Sequence, residues 1–395
     1  MTRIGEFIKE LQELGALGRP CDLPVRDDAL EEAARRAMSA SVFGYVAGAA
    51  GMERTAHANS EAFSGWVIVP RHMRGVVERD LTTTILETPM SGPVLLAPIG
   101  GLGVVHPYGE LAVARVARRL GIPMILSTIS STSLEEVAAE LRSGDAAQPR
   151  LGWFQFYWPQ VDEVAYSLIQ RAERAGYGAL VITIDTGAPA WRPRDLTSGF
   201  SPARAGEGLA NYLTDPAFRA LLEKPPEEDM SAAVTLWSRI LSRPGLNWRD
   251  IDWLCRNTSL PVLVKGVCHP DDAAAAVGAG VRGIIVSNHG GRQIDGAKPA
   301  LDCLPDVVAR VRGVVPVLFD SGIRSGTDIF KALALGASAV LVGRPYVFGL
   351  ALRGGDGVEH VLRCLLAELD ATMALSGHRS LSSLTVESLG RSAHG

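Results

Sequence analysis

Eight short apolar runs, separated by segments of helical periodicity, restrict what this chain can fold into more than any other feature. The runs occupy residues 94–100, 123–128, 151–157, 179–185, 261–267, 283–289, 316–322 and 339–344. Most lack polar alternation, as expected of parallel strands covered on both faces. Helical patterns at 110–120, 161–175, 270–280, 300–312 and 326–336 lie between them, and several stop at a glycine (Gly121, Gly176, Gly280, Gly336). Strand and helix alternating eight times predict an α/β fold, the (β/α)8 or TIM barrel. The first four runs begin about 28 residues apart, but 82 residues separate the starts of the fourth and fifth. The surplus, about 196–246, reads as a polar lid at the catalytic face. Residues 1–90 form a helical extension before the barrel, helical at 29–38, and 356–390 supply closing helices. The 395 residues therefore read as one domain, with a barrel core at about 91–350.

Composition narrows the class. Charged residues are 21% and hydrophobic residues 47%, which suits a globular enzyme. The net charge of −4 argues against nucleic acid or an anionic membrane as the main partner. No apolar run approaches the roughly 20 residues that span a bilayer, and the start Met1-Thr2-Arg3-Ile4-Gly5-Glu6-Phe7 carries no apolar secretion core. Five scattered cysteines without Cys-x-x-Cys predict a reducing cytoplasm, no disulfide frame and no metal site. No Gly-x-Gly-x-x-Gly follows the first strand, which excludes a Rossmann nucleotide enzyme.

Barrel active sites lie at the carboxyl ends of the strands. Those ends read, in order, Ala97-Pro98-Ile99-Gly100-Gly101, Ser127-Thr128, Gln155-Phe156-Tyr157, Thr183-Ile184-Asp185, Lys265, His289, Asp320-Ser321-Gly322-Ile323-Arg324 and Gly343-Arg344. The sixth belongs to Ser287-Asn288-His289-Gly290-Gly291-Arg292-Gln293. It is either a glycine turn carrying a surface histidine, or a base beside a carboxylate clamp. Convergence of polar groups on one end favours the second. Gly322, Arg324, Gly343 and Arg344 stand where such barrels hold a phosphate, although either arginine alone also suits a surface ion pair. Lys265 needs a buried partner, and its cation suits negative charge arriving on a bound ring. Asp185 is either a helix cap or the orienter of His289.

These motifs are similar to those of the FMN-dependent α-hydroxy-acid oxidising family. The resemblance runs from about residue 33 to 389 and rests on Ser287 through Gln293, on Leu263-Val264-Lys265-Gly266 and on Asp320 through Arg324. It implies FMN as cofactor, and a small 2-hydroxy acid and O2 as partners. Pro98, Ile99, Gly100, Ser127, Gln155, Thr183, Lys265 and Ser287 would surround the flavin ring and ribityl chain. Asp320, Ser321, Gly322, Ile323, Arg324, Gly343 and Arg344 would hold the ribityl and phosphate end. Tyr45, Tyr157, Arg192, His289 and Arg292 match substrate-contacting positions. By the same resemblance His289 is the base, Asp185 its partner, Tyr157 the partner of the substrate hydroxyl, and Lys265 the stabiliser of the reduced ring. A homo-oligomer, tetramer or octamer, is also implied.

Within the family, Tyr45-Val46-Ala47-Gly48, Trp191-Arg192-Pro193-Arg194-Asp195-Leu196, Asn211-Tyr212-Leu213-Thr214-Asp215-Pro216 and Ile251-Asp252-Trp253 resemble lactate 2-monooxygenase. Gly100 replaces the alanine of the simple oxidases, and the missing methyl is expected to leave room beside the flavin for product and peroxide to stay together. The expected reaction is then lactate and O2 to acetate, CO2 and water. Release of the 2-oxo acid with peroxide is the alternative. The small residues Gly187-Ala188-Pro189-Ala190 are expected to admit a side chain larger than methyl, as in mandelate. Two other classes are set aside. A quinone- or cytochrome-linked dehydrogenase would carry a haem domain or an apolar loop, and an inert scaffold would not keep His289, Arg292, Asp185, Lys265 and Tyr157 together.

Overall fold

The computed structural model describes residues 6–143 and 151–392. Eight parallel strands close into a barrel: β1 (Val94–Leu96), β2 (Met124–Ser127), β3 (Gly152–Phe156), β4 (Leu180–Thr183), β5 (Val262–Val267), β6 (Gly283–Val286), β7 (Val317–Phe319) and β8 (Ala339–Val342). Each pairs with its chain neighbours, and β8 returns to β1 through Leu341 opposite Leu95. The (β/α)8 barrel expected from the alternation is the fold. All eight runs contribute a strand, each shorter than its apolar stretch because the polar ends turn out of the ladder into loops.

Two cores explain why the strands read as unbroken apolar runs. Leu95, Ile125, Trp153, Val181, Leu263, Ile285, Leu318 and Leu341 point into the barrel. Their chain neighbours, such as Leu96, Phe154, Ile182, Val264 and Phe319, face the surrounding helices. Period-two alternation therefore puts apolar groups on both faces. The amino-terminal end is closed by a hairpin, Thr83–Ile85 with Thr88–Met90, whose Ile85 and Met90 join the inner core. Trp153 fills the space above it, fully buried, and its Nε1 donates to Thr88 Oγ1 at 3.3 Å. Trp153→Ala is expected to destabilise the fold by roughly 3–5 kcal/mol through the cavity it leaves, read as a lower denaturation midpoint at unchanged m-value.

The helix expected at 29–38 spans Asp27–Ala37, and those expected after β1, β3, β5, β6 and β7 stand within two residues of their expected bounds. The carboxyl-terminal region differs from expectation. Helix Arg344–Ser376 begins directly after β8 and breaks at Arg353 and Gly354, where φ is −150° and +56°. The surplus between β4 and β5 carries short helices, the longest being Met230–Ile240, before helix Trp248–Asn257. It is fastened to the barrel mouth. Asn211 is fully buried, donates to the carbonyls of Ser127 and Thr128 at 3.4 and 3.0 Å, and accepts from Leu134 N at 2.7 Å. Asp215, equally buried, is 3.0 Å from Arg171 and caps helix Pro216–Arg219. Among the described residues no helix is long and apolar enough to cross a membrane.

Candidate active site

The residues singled out in the sequence converge on one cavity at the carboxyl ends of the strands. Tyr45, Pro98, Ile99, Gly100, Ser127, Tyr157, Arg192, Lys265, His289, Arg292, Asp320, Ser321, Gly322, Ile323, Arg324, Gly343 and Arg344 all line it. Gln155, Thr183, Ser287 and Asp185 do not line it but act on residues that do. Gln155 Oε1 accepts from Ser127 Oγ at 3.1 Å, Thr183 pairs in register with Lys265, and Ser287 Oγ accepts from Lys265 Nζ at 3.0 Å.

The His289–Asp185 pair is built on a strained turn. After β6, Asn288 caps the short turn His289–Gly291, and His289 takes a left-handed φ of +59°. A non-glycine residue held there costs on the order of 1–3 kcal/mol, and such strain clusters at functional sites. Ser287 Oγ accepts from His289 N at 3.0 Å and fixes that conformation. Asp185 caps no helix; its Oδ1 lies 2.9 Å from His289 Nδ1. The proton on Nδ1 then faces the carboxylate, which leaves Nε2 as the basic nitrogen. Burial lowers the His289 pKa below the usual imidazole range against the opposing pull of Asp185, so the ring rests neutral. For Asp185 itself burial pushes upward, but its contact with His289, including the hydrogen bond, and the Lys265 charge outweigh it and hold the carboxyl below its usual range. Gly266 makes room for this pair. Its φ is +112°, and a Cβ there would meet Asp185 Cβ at 2.8 Å.

Positive charge dominates the opposite wall. Arg192 Nε donates to the Arg292 carbonyl at 3.0 Å, and its Nη2 to Gln293 Oε1 at 3.0 Å. Arg292 packs 5.5 Å from the Tyr45 ring centroid, and its nearest carboxylate, Asp195, is 3.9 Å away. Burial, then the Arg192 charge, lower the Arg292 pKa. Two neighbouring guanidiniums with one distant carboxylate form a site that an incoming anion stabilises. Tyr45 closes this end: its hydroxyl donates to Gly100 O at 3.0 Å, and its ring meets Phe200 of the insertion edge-on at 5.9 Å.

The remaining wall fits FMN. Lys265 is buried and stays charged because Asp320, at 3.1 Å, and Asp185 outweigh its desolvation. Gln155 Nε2 is a buried donor without a partner, as a ring of carbonyl acceptors would require. Arg344 donates to the carbonyls of Val46, Gly290 and Gly48 at 3.2, 3.0 and 2.9 Å and meets no carboxylate among the described residues. Burial, then the charges of Arg292 and Arg324, pull its pKa below the usual guanidinium range. An unmatched, partly buried cation at the end of β8 suits a phosphate. Arg324 serves both uses open to it in the sequence: it lines the cavity and also stands 3.0 Å from Asp27.

Three features were not read from the sequence. Ile129, after β2, lines the cavity, and it corrects the expectation at Gly100. A Cβ on Gly100 would meet Ile129 O at 2.8 Å and Ile129 Cβ at 3.0 Å, so the space beside the glycine is already filled. Glu110, fully buried in an amphipathic helix, accepts from Leu102 N and Ser131 N at 3.2 and 3.0 Å and ties the loops after β1 and β2 together. Only a charge near a helix start hinted at it. The third is an adjoining cavity that shares Tyr157 and is walled by Trp158, Ile184, Gly187, Leu246 and Trp248.

Comparison with known proteins agrees with this geometry. The family model described as FMN-dependent dehydrogenase matches residues 34–391. The chain is similar to an L-lactate oxidase of Lysinibacillus sphaericus, 42% identical over 90% of each chain. It is similar to human 2-hydroxyacid oxidase 1, 40% identical over 88% of this chain and 91% of that protein. A solved structure of mandelate oxidase with (S)-4-hydroxymandelic acid superposes with a TM-score of 0.81 at 38% identity, covering 93% of this chain and 99% of the other. The chain thus belongs to the FMN-dependent dehydrogenase family, oxidoreductases of α-hydroxy acids whose cofactor is FMN.

Proposed function

We propose that the protein oxidises an (S)-2-hydroxy acid, with O2 as electron acceptor, and keeps the 2-oxo acid in place long enough for peroxide to decarboxylate it. For lactate the products are acetate, CO2 and water. The observation that carries the reading is His289, held from behind by Asp185, sharing one cavity with Arg292, Arg192 and Tyr45. Arg292 and Arg192 hold the substrate carboxylate, and Tyr45 packs against Arg292. Tyr157 bonds the substrate hydroxyl. His289 Nε2 accepts a proton, and Asp185 stabilises the imidazolium that results. Lys265, Gln155 and Ser127 hold the ring end of FMN, while Arg344, Arg324 and the loop at Gly322 hold its phosphate. Bound FMN supplies the acceptance of two electrons and their delivery to O2. Lys265 offers a fixed positive charge in a dry pocket for the negative charge that reduction brings.

The decarboxylating outcome draws support from the insertion. Its inner part is locked to the mouth by Asn211, and Gly208 lies against Ile129, where a Cβ would stand 2.7 Å from Cγ2. A cover held this way retards escape of product. Simple oxidation with release of peroxide is the second reading, favoured by similarity to proteins named oxidases. Peroxide and CO2 measured per O2 consumed with (S)-lactate separate the two. Stoichiometric CO2 with little peroxide supports the first, and stoichiometric peroxide supports the second. The adjoining cavity beyond Tyr157 gives grounds for testing larger side chains, up to mandelate, in the same assay. A homo-oligomer in the cytoplasm belongs to the same proposal; light scattering of the purified protein checks the first and cell fractionation the second.

Two expected results arise here. Gly100→Ala must displace Ile129, which is the joint between Gly100 and the insertion, and should raise peroxide released per O2 consumed. An unchanged ratio would remove Ile129 from product retention. The second concerns pH. His289 works as the neutral base and its pKa lies below the ordinary imidazole value, so kcat/KM is lost only as pH falls through that lowered pKa. The acid limb of the profile should therefore lie below the usual imidazole range near 6.5; a limb above that range would contradict the burial argument.

A further inference from the structure

The cavity adjoining the catalytic one has a chemistry of its own. It measures about 240 Å³ and shares Tyr157 with its neighbour. Trp158, Ile184, Leu246, Trp248 and Ile251 make its wall largely apolar. Apolar cavities of roughly 150 Å³ suffice to hold a benzene ring. Among the described residues that line it only Arg243 is charged, and that charge is matched. Arg243 pairs with Asp162, donates to Gln160 O at 3.1 Å and packs 5.7 Å from the Trp158 ring centroid. The cavity therefore suits an uncharged ring better than an anion. One polar group is left over. Trp158 is 5% exposed, and its Nε1 is a buried donor with no acceptor among the described residues. An acceptor brought by a ligand stabilises such a group. Gly187 stands at the exposed rim, where a Cβ would meet no atom within 4 Å, and its φ lies outside the left-handed region.

We propose that this cavity receives the side chain of the substrate, and that the preferred substrate is a 3-aryl (S)-2-hydroxypropanoic acid whose ring carries a hydrogen-bond acceptor. The inference rests on the oxidation proposed above. The carboxylate stays on Arg292 and Arg192 and the hydroxyl on Tyr157, as in that reading. Tyr157 borders both cavities, so a ring joined directly to the reacting carbon is held on the catalytic side. One methylene supplies the rotatable bond that carries the ring past Tyr157, to lie among Trp158, Trp248 and Leu246. A para oxygen on the ring then accepts from Trp158 Nε1. Lactate reaches none of these groups, yet it meets the whole catalytic cavity and still reduces the flavin.

The test uses the FMN-loaded protein and two acids that lack the hydroxyl and so cannot be oxidised, 3-(4-hydroxyphenyl)propanoate and propanoate. Binding is read from the change in flavin absorption. The aryl acid should bind roughly 10–100-fold tighter, the scale of burying one aromatic side chain. Gly187→Leu, which adds a side chain at the rim, and Leu246→Trp, which fills the wall, should each erase most of that difference. Removing the para hydroxyl should weaken binding about fivefold; equal binding without it would take Trp158 out of the site. Flavin reduction by (S)-3-(4-hydroxyphenyl)lactate and by (S)-lactate is followed alongside, and kcat/KM should favour the aryl acid by a similar factor. Equal binding of the aryl acid and propanoate, or a difference that both variants leave intact, would overturn the proposal and leave oxidation of lactate standing. Flavin that neither hydroxy acid reduces would overturn the oxidation, and this inference with it.

Discussion

Replacing His289 with alanine is expected to slow anaerobic reduction of the flavin by substrate by roughly 10²–10⁴-fold, the usual cost of losing a general base, while FMN stays bound. The two effects separate because His289 bonds Asp185, whereas the cofactor wall consists of Lys265, Arg344 and their neighbours. Asp185 adds to the cost. Without the imidazole it is a buried carboxylate whose Oδ2 already lacks a partner and whose Oδ1 then loses its own. The variant should therefore raise the Asp185 pKa, and added imidazole should restore only part of the rate. Flavin bleaching at the unmodified rate would remove His289 from the chemistry.

Arg292→Lys is expected to lower kcat/KM by about 10–100-fold, the loss of one hydrogen bond to a charged group at roughly 1.5–3 kcal/mol. Lysine keeps the charge but not the planar fork, so the loss reports geometry rather than electrostatics. It also loses the contact with the Tyr45 ring and the bond from Arg292 to Gly48 O. Arg192 would remain, still able to donate through Nε to the backbone carbonyl at position 292. Stopped-flow reduction at rising substrate concentration separates weaker binding from slower chemistry. Near-normal values for both would place the carboxylate on Arg192 alone.

The barrel was legible because buried parallel strands are apolar on both faces and their helices end at glycines. The site was legible because polar residues at eight strand ends have one place to meet. What stayed hidden has physical reasons. The hairpin that closes the barrel turns at Leu86 and Glu87, whose φ values are +46° and +63°, without the glycine or asparagine that announces such a turn. Helix Leu134–Arg142, not read from the sequence, follows a run of serines and threonines that resembles a loop until Ser133 caps it. The supporting roles of Asn211, Glu110 and Ile129 depend on contacts across 77, 21 and 79 residues, which no local pattern encodes. Gly100 shows the limit most clearly. Its small size was visible in the sequence, but the neighbour that occupies the space was not.

On the proposed function, this cavity binds FMN and passes to it two electrons from the carbon bearing the hydroxyl of an (S)-2-hydroxy acid. Its most direct test mixes the purified yellow protein with (S)-lactate, and separately with (R)-lactate, in the absence of oxygen, and follows the flavin absorption. Rapid bleaching by the (S) form is expected, with none by the (R) form and recovery of the colour when O2 is admitted. Flavin that stays oxidised with (S)-lactate, and with every other (S)-2-hydroxy acid from the smallest to mandelate, would contradict it.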